Sequence, residues 1–385
     1  MEVFNRAVLA TNVVMESDSC RRYPDDKQKT RSVTQDNLDS ISPRDALEWY
    51  IDHRRGEVRM ATRRKQESSL RTFIEWTAQA GIEDMTEVSG RQLMAYKTWL
   101  KAESDLATVS LNGNLAILQR FLRFCETIEA VEEDLADRTP LPNVPPEEEV
   151  NYTVPSDDEV EQIQAYYRQF GYASRRQVVF DLIAEVGIRL GAVRGIDLGD
   201  FEPDERVIHL HHRPEGAEEY GTPLKNGFDG ERIINISDQF RDFIVDYVEH
   251  NRDEVVDEYD RRPLFTTASG RPSTATIRRD FYKMSRPCEY SGDCPHDREI
   301  GDCDAAKNAN AADCPSRFST HPLRKWAIMS QLDAGVPKEL LSDRVDVSVP
   351  VLDKHYDQRT EERKSRHRRE ALEDNLEQYA MTEDI

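Results

Sequence analysis

The sequence predicts a mainly α-helical protein with a small β-sheet, an α+β chain of two domains. Apolar residues recur at helical spacing through residues 42–130 and again through much of 158–385. Two short segments, 207–211 and 233–236, have the pattern of a pair of strands. An acidic, proline-rich stretch, 131–157, separates the two helical parts and reads as a stiff linker. We therefore divide the chain into a helical domain, a linker and a larger mixed domain.

The length and hydropathy of the chain predict a protein of the cytoplasm. Its 385 residues suffice for two domains, each with its own core. No apolar run approaches the length that spans a bilayer, so we expect no membrane partner. The short apolar patch Ala7–Ala10 follows no basic leader, which argues against a signal peptide. Residues 1–40 lack periodicity and are interpreted as a disordered segment or an over-extended start.

The charge of the chain, taken by itself, argues against nucleic acid as a partner. The net charge is −22 and 33% of the residues are charged, whereas phosphates attract basic surfaces. A uniformly acidic surface also keeps proteins soluble at high ionic strength, so we infer a salt-loving, archaeal source. Because concentrated salt weakens binding by counterion release, such a protein would rely on bidentate arginine contacts and on shape to bind DNA.

Four helices are predicted in the first domain, residues 41–130. Ser42 is an N-cap followed by proline in the first turn, and a second helix ends at Gly81. Apolar stripes over 93–100 and 108–122 mark two more helices. A basic cluster on the second helix is either a solvated face or a set of phosphate contacts: Arg63, Arg64 and Lys65.

The second domain, residues 158–385, combines helices with the two predicted strands. A helix begins near Asp157, and a buried helix, Val178–Val186, ends at a glycine. The loop between the two strands carries Lys225. Further helices are predicted at 238–250, from about Ser273, and at 359–380.

Three residues toward the end of the chain can hold and attack a phosphodiester. In the segment 319–325, His321 and Arg324 are three apart and therefore share one face of a helix. Arginine offers a planar, permanently charged fork that suits phosphate oxygens. Tyr356 carries a phenol that becomes a nucleophile once its proton is removed. A surface helix with one buried histidine and a structural tyrosine is the alternative interpretation.

These residues resemble the motifs of the tyrosine recombinases, the phage integrase family. The pair His321 and Arg324 matches the second motif, and Tyr356 follows at the family's distance. The segment 187–198 is similar to the first motif, a Gly-x-Arg that opens a helix, and the segments match in order across roughly 155–370. The resemblance implies a helical SAM-like core-binding domain that clamps DNA, followed by a tyrosine-recombinase catalytic domain.

The resemblance also implies an activity, that of a site-specific recombinase or integrase acting through a 3′-phosphotyrosine intermediate. Arg189 and Arg324 would clamp the non-bridging oxygens, and His321 would hydrogen-bond the phosphate or accept the tyrosine proton. Lys225 would protonate the leaving 5′ oxygen, and Tyr356 would attack and stay attached to the 3′ phosphate. The implied reaction needs no cofactor, and the implied assembly is a homotetramer on two sites in double-stranded DNA.

The sequence departs from the family pattern at three positions. Lys325 follows the second arginine where histidine is common, and Ala192 replaces an acidic residue that often follows the first arginine. The third-motif histidine is absent, and residues 346–347 lie near its place. Arg344 or His355 could replace it, and Arg344 and Lys325 are also candidates to contact DNA. Two alternatives stay open: a non-catalytic DNA-binding derivative of a recombinase, and a nicking-closing enzyme resembling a type IB topoisomerase.

A cysteine-rich insert, residues 286–316, leads into the second motif. Four thiols and an imidazole in it could supply tetrahedral zinc ligands: Cys288, Cys294, Cys303, Cys314 and His296. The spacing is not the paired Cys-x-x-Cys type, so a structural zinc ion and unliganded, redox-labile cysteines are both open. The histidines near strand 207–211 have no carboxylate or cysteine at ligand spacing, which favours polar strand faces over a metal site.

Overall fold

The computed structural model describes residues 38–104, 106–145, 154–215 and 220–357, together with 365 and 369. Within these residues the chain is mainly helical with a small antiparallel sheet, which confirms the predicted α+β class. None of the helices described is long and apolar enough to cross a membrane. Most of the predicted disordered segment, part of the linker and most of the predicted helix 359–380 lie outside the described residues.

Four helices form the first hydrophobic core: α1 (Pro43–His53), α2 (Met60–Ala80), α3 (Gly90–Glu103) and α4 (Thr108–Thr127). The hydroxyl of Ser42 accepts the backbone N–H of Asp45 at 3.1 Å, so the predicted N-cap forms. Gly81 ends α2 at φ +73°, a left-handed conformation that favours glycine. Large side chains of this core include Phe73, Tyr96 and Phe121, and Phe73 contacts each of the other two edge to face.

The second part begins with three helices: α5 (Asp157–Phe170), α6 (Arg175–Val186) and α7 (Leu190–Gly195). A capping box starts α5, in which Ser156 and Glu159 satisfy each other's backbone N–H groups. Gly187 ends α6 at φ +73°, and a Cβ atom there would lie 3.2 Å from Ile328 and 3.3 Å from Val345. Glycine therefore suits this position for two reasons: it adopts the left-handed conformation, and it has no Cβ atom to collide with the neighbouring helices.

A three-stranded antiparallel sheet follows, in the order β1 (Phe201–Glu202), β2 (Val207–Leu210) and β5 (Arg232–Asn235). The two predicted strands are thus paired, with Ile208 opposite Ile234. A second hairpin, β3 (Arg213–Glu215) and β4 (Tyr220–Thr222), lies between them in the chain and was not predicted. Its strands have three residues each, too few for a period-two pattern to stand out.

The remaining helices are α8 (Asp238–His250), α9 (Thr274–Met284), α10 (Pro287–Tyr290), α11 (Thr320–Asp333), α12 (Lys338–Val345) and α13 (Val349–His355). Helices α5 to α9 and the sheet share one large core with the start of α11. The rest of α11 packs with α12 and α13 in a smaller apolar cluster that includes Tyr356. The residues of the predicted catalytic site therefore lie where these two cores meet. The predicted domain limits stay a prediction.

Candidate active site

Arg324 lies at the centre of the candidate site and is almost fully buried, at 2% exposed. Its Nη1 donates to the Gly187 carbonyl at 2.6 Å, and its Nη2 donates to the Val345 carbonyl at 2.9 Å. The guanidinium also hydrogen-bonds the hydroxyl of Tyr356. The ends of α6 and α12 thus orient the arginine, and the arginine in turn positions the phenol at the end of α13.

The positive charge around Arg324 exceeds what its partners neutralise. Burial, together with the charges of the neighbouring Arg189 and Arg232, lowers the pKa of Arg324 to about 10. The Tyr356 hydroxyl opposes this shift. The guanidinium stays protonated at neutral pH, so the site holds several like charges at close range. An anion bound there would relieve their repulsion.

Arg189 enters the site from the start of α7, where it is the N-cap residue in an extended conformation. Its Nη1 forms an ion pair with the carboxylate of Asp346, and its side chain is 25% exposed. The left-handed turn at Gly187 reverses the chain after α6. Arg189 is thereby brought beside Arg324, although the two residues are far apart in the sequence.

His321 lies in the first turn of α11, one turn before Arg324, with its ring open to solvent on one side. Its pKa is lowered, first by burial and then by the charges of Arg324, Lys325, Lys225 and Arg189. The imidazole is therefore neutral at pH 7 and able to accept a proton. The same set of cations places His321 in one cluster with three of the other predicted catalytic residues.

Lys225 occupies the turn that follows β4, and its side chain is exposed. The preceding residue anchors the turn: the Leu224 N–H donates to His212 Nδ1 at 3.0 Å, and its carbonyl accepts from Arg59 Nη1 at 2.6 Å. On the other side, Asn226 Nδ2 donates to Asp346 Oδ1 at 2.7 Å. His212 therefore has a structural partner, in keeping with the interpretation of this strand region as polar.

A cavity of about 520 Å³ opens beside Arg189 and Lys225. Three further arginines line it and were not predicted from the sequence: Arg59, Arg232 and Arg278. Arg232 is held by two backbone carbonyls, those of Arg344 at 2.8 Å and Gly230 at 2.8 Å. These arginines belong to none of the motifs, and they reach the cavity from before α2, from β5 and from α9. No local pattern in the sequence would have indicated them.

The predicted DNA contacts differ in their accessibility. Arg64 and Lys65 are exposed and Arg63 is half-buried on the first turns of α2, beside the cavity. Arg344 is half-buried, and its Nη1 donates to the Asn235 carbonyl at 2.9 Å. Lys325 is only 4% exposed, and burial lowers its pKa. Contact between Lys325 and DNA stays a prediction.

The position of the third motif is apolar. Val347 is 6% exposed and packs in the cluster of α11 to α13, so it offers no hydrogen-bond donor to a phosphate. The preceding Asp346 adopts φ +55° and directs its carboxylate toward Arg189 and Asn226. His355 is half-buried at the end of α13. No side chain at the third-motif position therefore supplies the hydrogen-bond donor that the missing histidine would provide.

The structure does not support the predicted zinc site. All four cysteines of the insert are free thiols, and the described residues contain no group of three or more His, Cys, Asp or Glu placed to hold a metal ion. The pKa of Cys288 is raised by burial and by the nearby Cys314, Cys294 and Cys303. His296 Nε2 instead hydrogen-bonds Ser316 at 2.9 Å. The thiols are near one another, but Cys288 lies on α10 and the other three lie in the segments that follow, and no three of these side chains are placed to hold a metal ion.

The pKa of Cys303 is lowered overall, although burial by itself would raise it. Hydrogen bonds from Arg298 and from the backbone N–H groups of Ala305 and Ala306 stabilise its thiolate, and the charge of Arg298 adds to this effect. Within one insert, the pKa of Cys288 is therefore raised and the pKa of Cys303 is lowered.

No protein-family model and no curated protein matches the sequence. Among solved structures, the Tn1549 transposon integrase in complex with a circular intermediate DNA is similar, with 15% identity and a TM-score of 0.63 over 86% of this chain and 100% of that chain. A lambda integrase dimer bound to a core site has 11% identity and a TM-score of 0.58 over 84% and 79%. A lambda integrase tetramer bound to a Holliday junction has 10% identity and a TM-score of 0.55 over 80% and 75%. The chain therefore has the fold of these integrases.

Proposed function

We propose that this protein is a site-specific DNA recombinase or integrase of the tyrosine class. The observation that carries the proposal is the hydrogen bond between Arg324 and the Tyr356 hydroxyl inside a cluster of cations. A phenol held by a buried guanidinium beside Arg189 and a neutral His321 is arranged for attack on a phosphodiester. The likeness to integrases bound to DNA supports double-stranded DNA as the substrate.

In the proposed reaction, Tyr356 attacks the scissile phosphorus, and the bond from phosphorus to the 5′ oxygen breaks. Arg189 and Arg324 stabilise the charge that develops on the non-bridging oxygens. His321 accepts the tyrosine proton, and Lys225 donates a proton to the departing 5′ oxygen. One phosphoester bond forms for each one that breaks, so a second 5′ hydroxyl can rejoin the strand without an external energy source.

We propose a homotetramer acting on two DNA sites, a stoichiometry supported by the lambda integrase tetramer on a Holliday junction. The net charge of −22 supports a salt-rich source. In concentrated salt, diffuse attraction between protein and phosphate is weak. The clustered arginines Arg59, Arg232 and Arg278 would then provide the local positive charge that the surface as a whole lacks.

The buried Val347 favours one alternative, a DNA-binding protein that no longer cleaves. A phosphate in this site lacks the donor that a third-motif histidine would supply. Removing one such donor from an active site slows catalysis by about 10²–10³ fold. An impaired enzyme and an inactive one therefore have to be separated by direct measurement.

Covalent capture tests the proposal. The full chain is expressed in a high-salt host, the cells are denatured in detergent, and DNA attached to the protein is sequenced. We expect adducts at discrete sites with the wild type and none with Tyr356→Phe. Tyr172→Phe is the matched control, because it removes an exposed hydroxyl that hydrogen-bonds Asp246 outside the site. Retained DNA binding without any adduct would favour the non-catalytic alternative, and adducts with relaxation of single plasmids but no paired duplexes would favour the topoisomerase alternative.

A further inference from the structure

Asp346 connects two parts of the candidate site that come from different elements. Its Oδ2 forms the ion pair with Arg189 Nη1, and its Oδ1 accepts from Asn226 Nδ2 at 2.7 Å. Both carboxylate oxygens are therefore engaged, and the side chain is 15% exposed. Asn226 adjoins Lys225, so one carboxylate joins the first arginine to the turn that carries the lysine.

The backbone at Asp346 explains how the carboxylate reaches the site. The residue ends α12 at φ +55° and ψ +55°, a left-handed conformation that aspartate and asparagine tolerate better than most side chains. Helix α7, which Arg189 opens, contains no acidic residue of its own. The carboxylate beside Arg189 therefore comes from a helix end more than a hundred residues later in the chain.

We propose that Asp346 is a positioning residue, which holds Arg189 and the Lys225 turn in the relative placement that one phosphodiester requires. The proposal rests on the proposed function, because it assigns Arg189 and Lys225 to the same reaction. Catalytic geometry is sensitive to displacements of about 1 Å, so a link between two charged groups on separate elements affects the rate directly.

The contacts argue against the opposite role, in which Asp346 would block the phosphate. The ion pair occupies Nη1 of Arg189, and a guanidinium has five N–H groups in a planar fork. Arg324, Arg232 and Lys225 add positive charge on the other sides of the site. The cluster stays cationic with the carboxylate in place, so a phosphate can bind while Asp346 keeps its two partners.

Hydrogen exchange of the free protein tests the structural part of the proposal without any DNA. Asp346→Gly removes both contacts and suits the positive φ, whereas Asp343→Asn removes an exposed acidic group from the same helix. We expect Asp346→Gly to raise the exchange rate of amides in residues 222–228 at least tenfold, and Asp343→Asn to leave it within twofold. Unchanged protection of this turn in Asp346→Gly would overturn the proposal.

Single-turnover cleavage tests the functional part on the duplex recovered by covalent capture. Asp346→Asn keeps the shape and the left-handed backbone but loses the negative charge. We expect the rate of adduct formation to fall at least tenfold while the Kd for the duplex is no weaker, and Asp343→Asn to match the wild type within twofold. An equal or faster rate in Asp346→Asn would refute the positioning role. If the wild type forms no adduct, the proposed function fails, and the exchange experiment still decides whether Asp346 holds the turn.

Discussion

Replacing Gly187 by alanine perturbs the turn on which the placement of Arg189 and Arg324 depends. At φ +73° an L-residue costs about 1–2 kcal/mol relative to glycine. The new Cβ would also lie 3.2 Å from Ile328 and 3.3 Å from Val345, and both neighbours are fully buried and cannot move freely. Overpacking of this kind costs about 1–3 kcal/mol. We expect a total loss of about 2–5 kcal/mol in the free energy of unfolding.

Gly335→Ala isolates the steric part of this effect. Gly335 follows α11 at φ +84°, and a Cβ atom there would meet nothing within 4 Å. The alanine therefore has the same backbone cost and the same change in the unfolded chain, but no clash. We expect Gly187→Ala to be less stable than Gly335→Ala by about 1–3 kcal/mol.

Denaturant unfolding at constant high salt measures both variants. The Gly187 carbonyl accepts from Arg324 Nη1, so a displaced turn should also slow adduct formation, whereas Gly335→Ala should not. Equal stability of the two variants would refute the claim that close packing selects glycine at 187. A destabilised Gly187→Ala with an unchanged cleavage rate would refute the claim that this turn positions Arg324.

Two further predictions follow from the altered acidities. Because the pKa of His321 in the folded protein is below its ordinary value of 6.5, the unfolded chain binds more protons between these two values. Stability should therefore fall as the pH falls through that window. His321→Gln should show a smaller loss than the wild type when unfolding is measured from pH 7.5 to 5, and parallel curves would contradict a lowered pKa of His321 in the folded protein. The pKa of Cys303 is lowered and that of Cys288 is raised, so at pH 7.5 iodoacetamide should alkylate Cys303 faster than Cys288. Mass spectrometry of the alkylated protein measures both rates. Equal protection of all four insert cysteines, together with bound zinc by elemental analysis, would instead restore the metal hypothesis.

Several helix starts and ends in this chain follow from local sequence signals. Ser42 and Ser156 accept backbone N–H groups at helix starts, and Gly81 and Gly187 end helices at positive φ. Such signals involve residues within one turn of each other, so they can be recognised without knowing the fold. The β3–β4 hairpin was missed because its three-residue strands contain too few positions for a pattern.

Two predictions about side chains depended on surroundings that the sequence does not contain. Lys325 was predicted to contact DNA, but the packing of α11 buries it at 4% exposed. The insert cysteines were candidate zinc ligands, but within the described residues no three of them are placed to hold a metal ion. In both cases the residue type fits the predicted role, whereas burial and placement depend on the packing of distant segments.

From the sequence alone we could predict the α+β class, several helix starts and ends, and the residues that we propose for the candidate site: Arg189, Lys225, His321, Arg324 and Tyr356. These follow from residue type, periodicity and capping, which are local properties of the chain. Only the tertiary structure decided that Asp346 links Arg189 to the Lys225 turn and that Arg59, Arg232 and Arg278 face the same cavity. Contacts between distant segments depend on how the helices pack. A carboxylate or a guanidinium that belongs to no local pattern therefore acquires its partner only when the chain has folded.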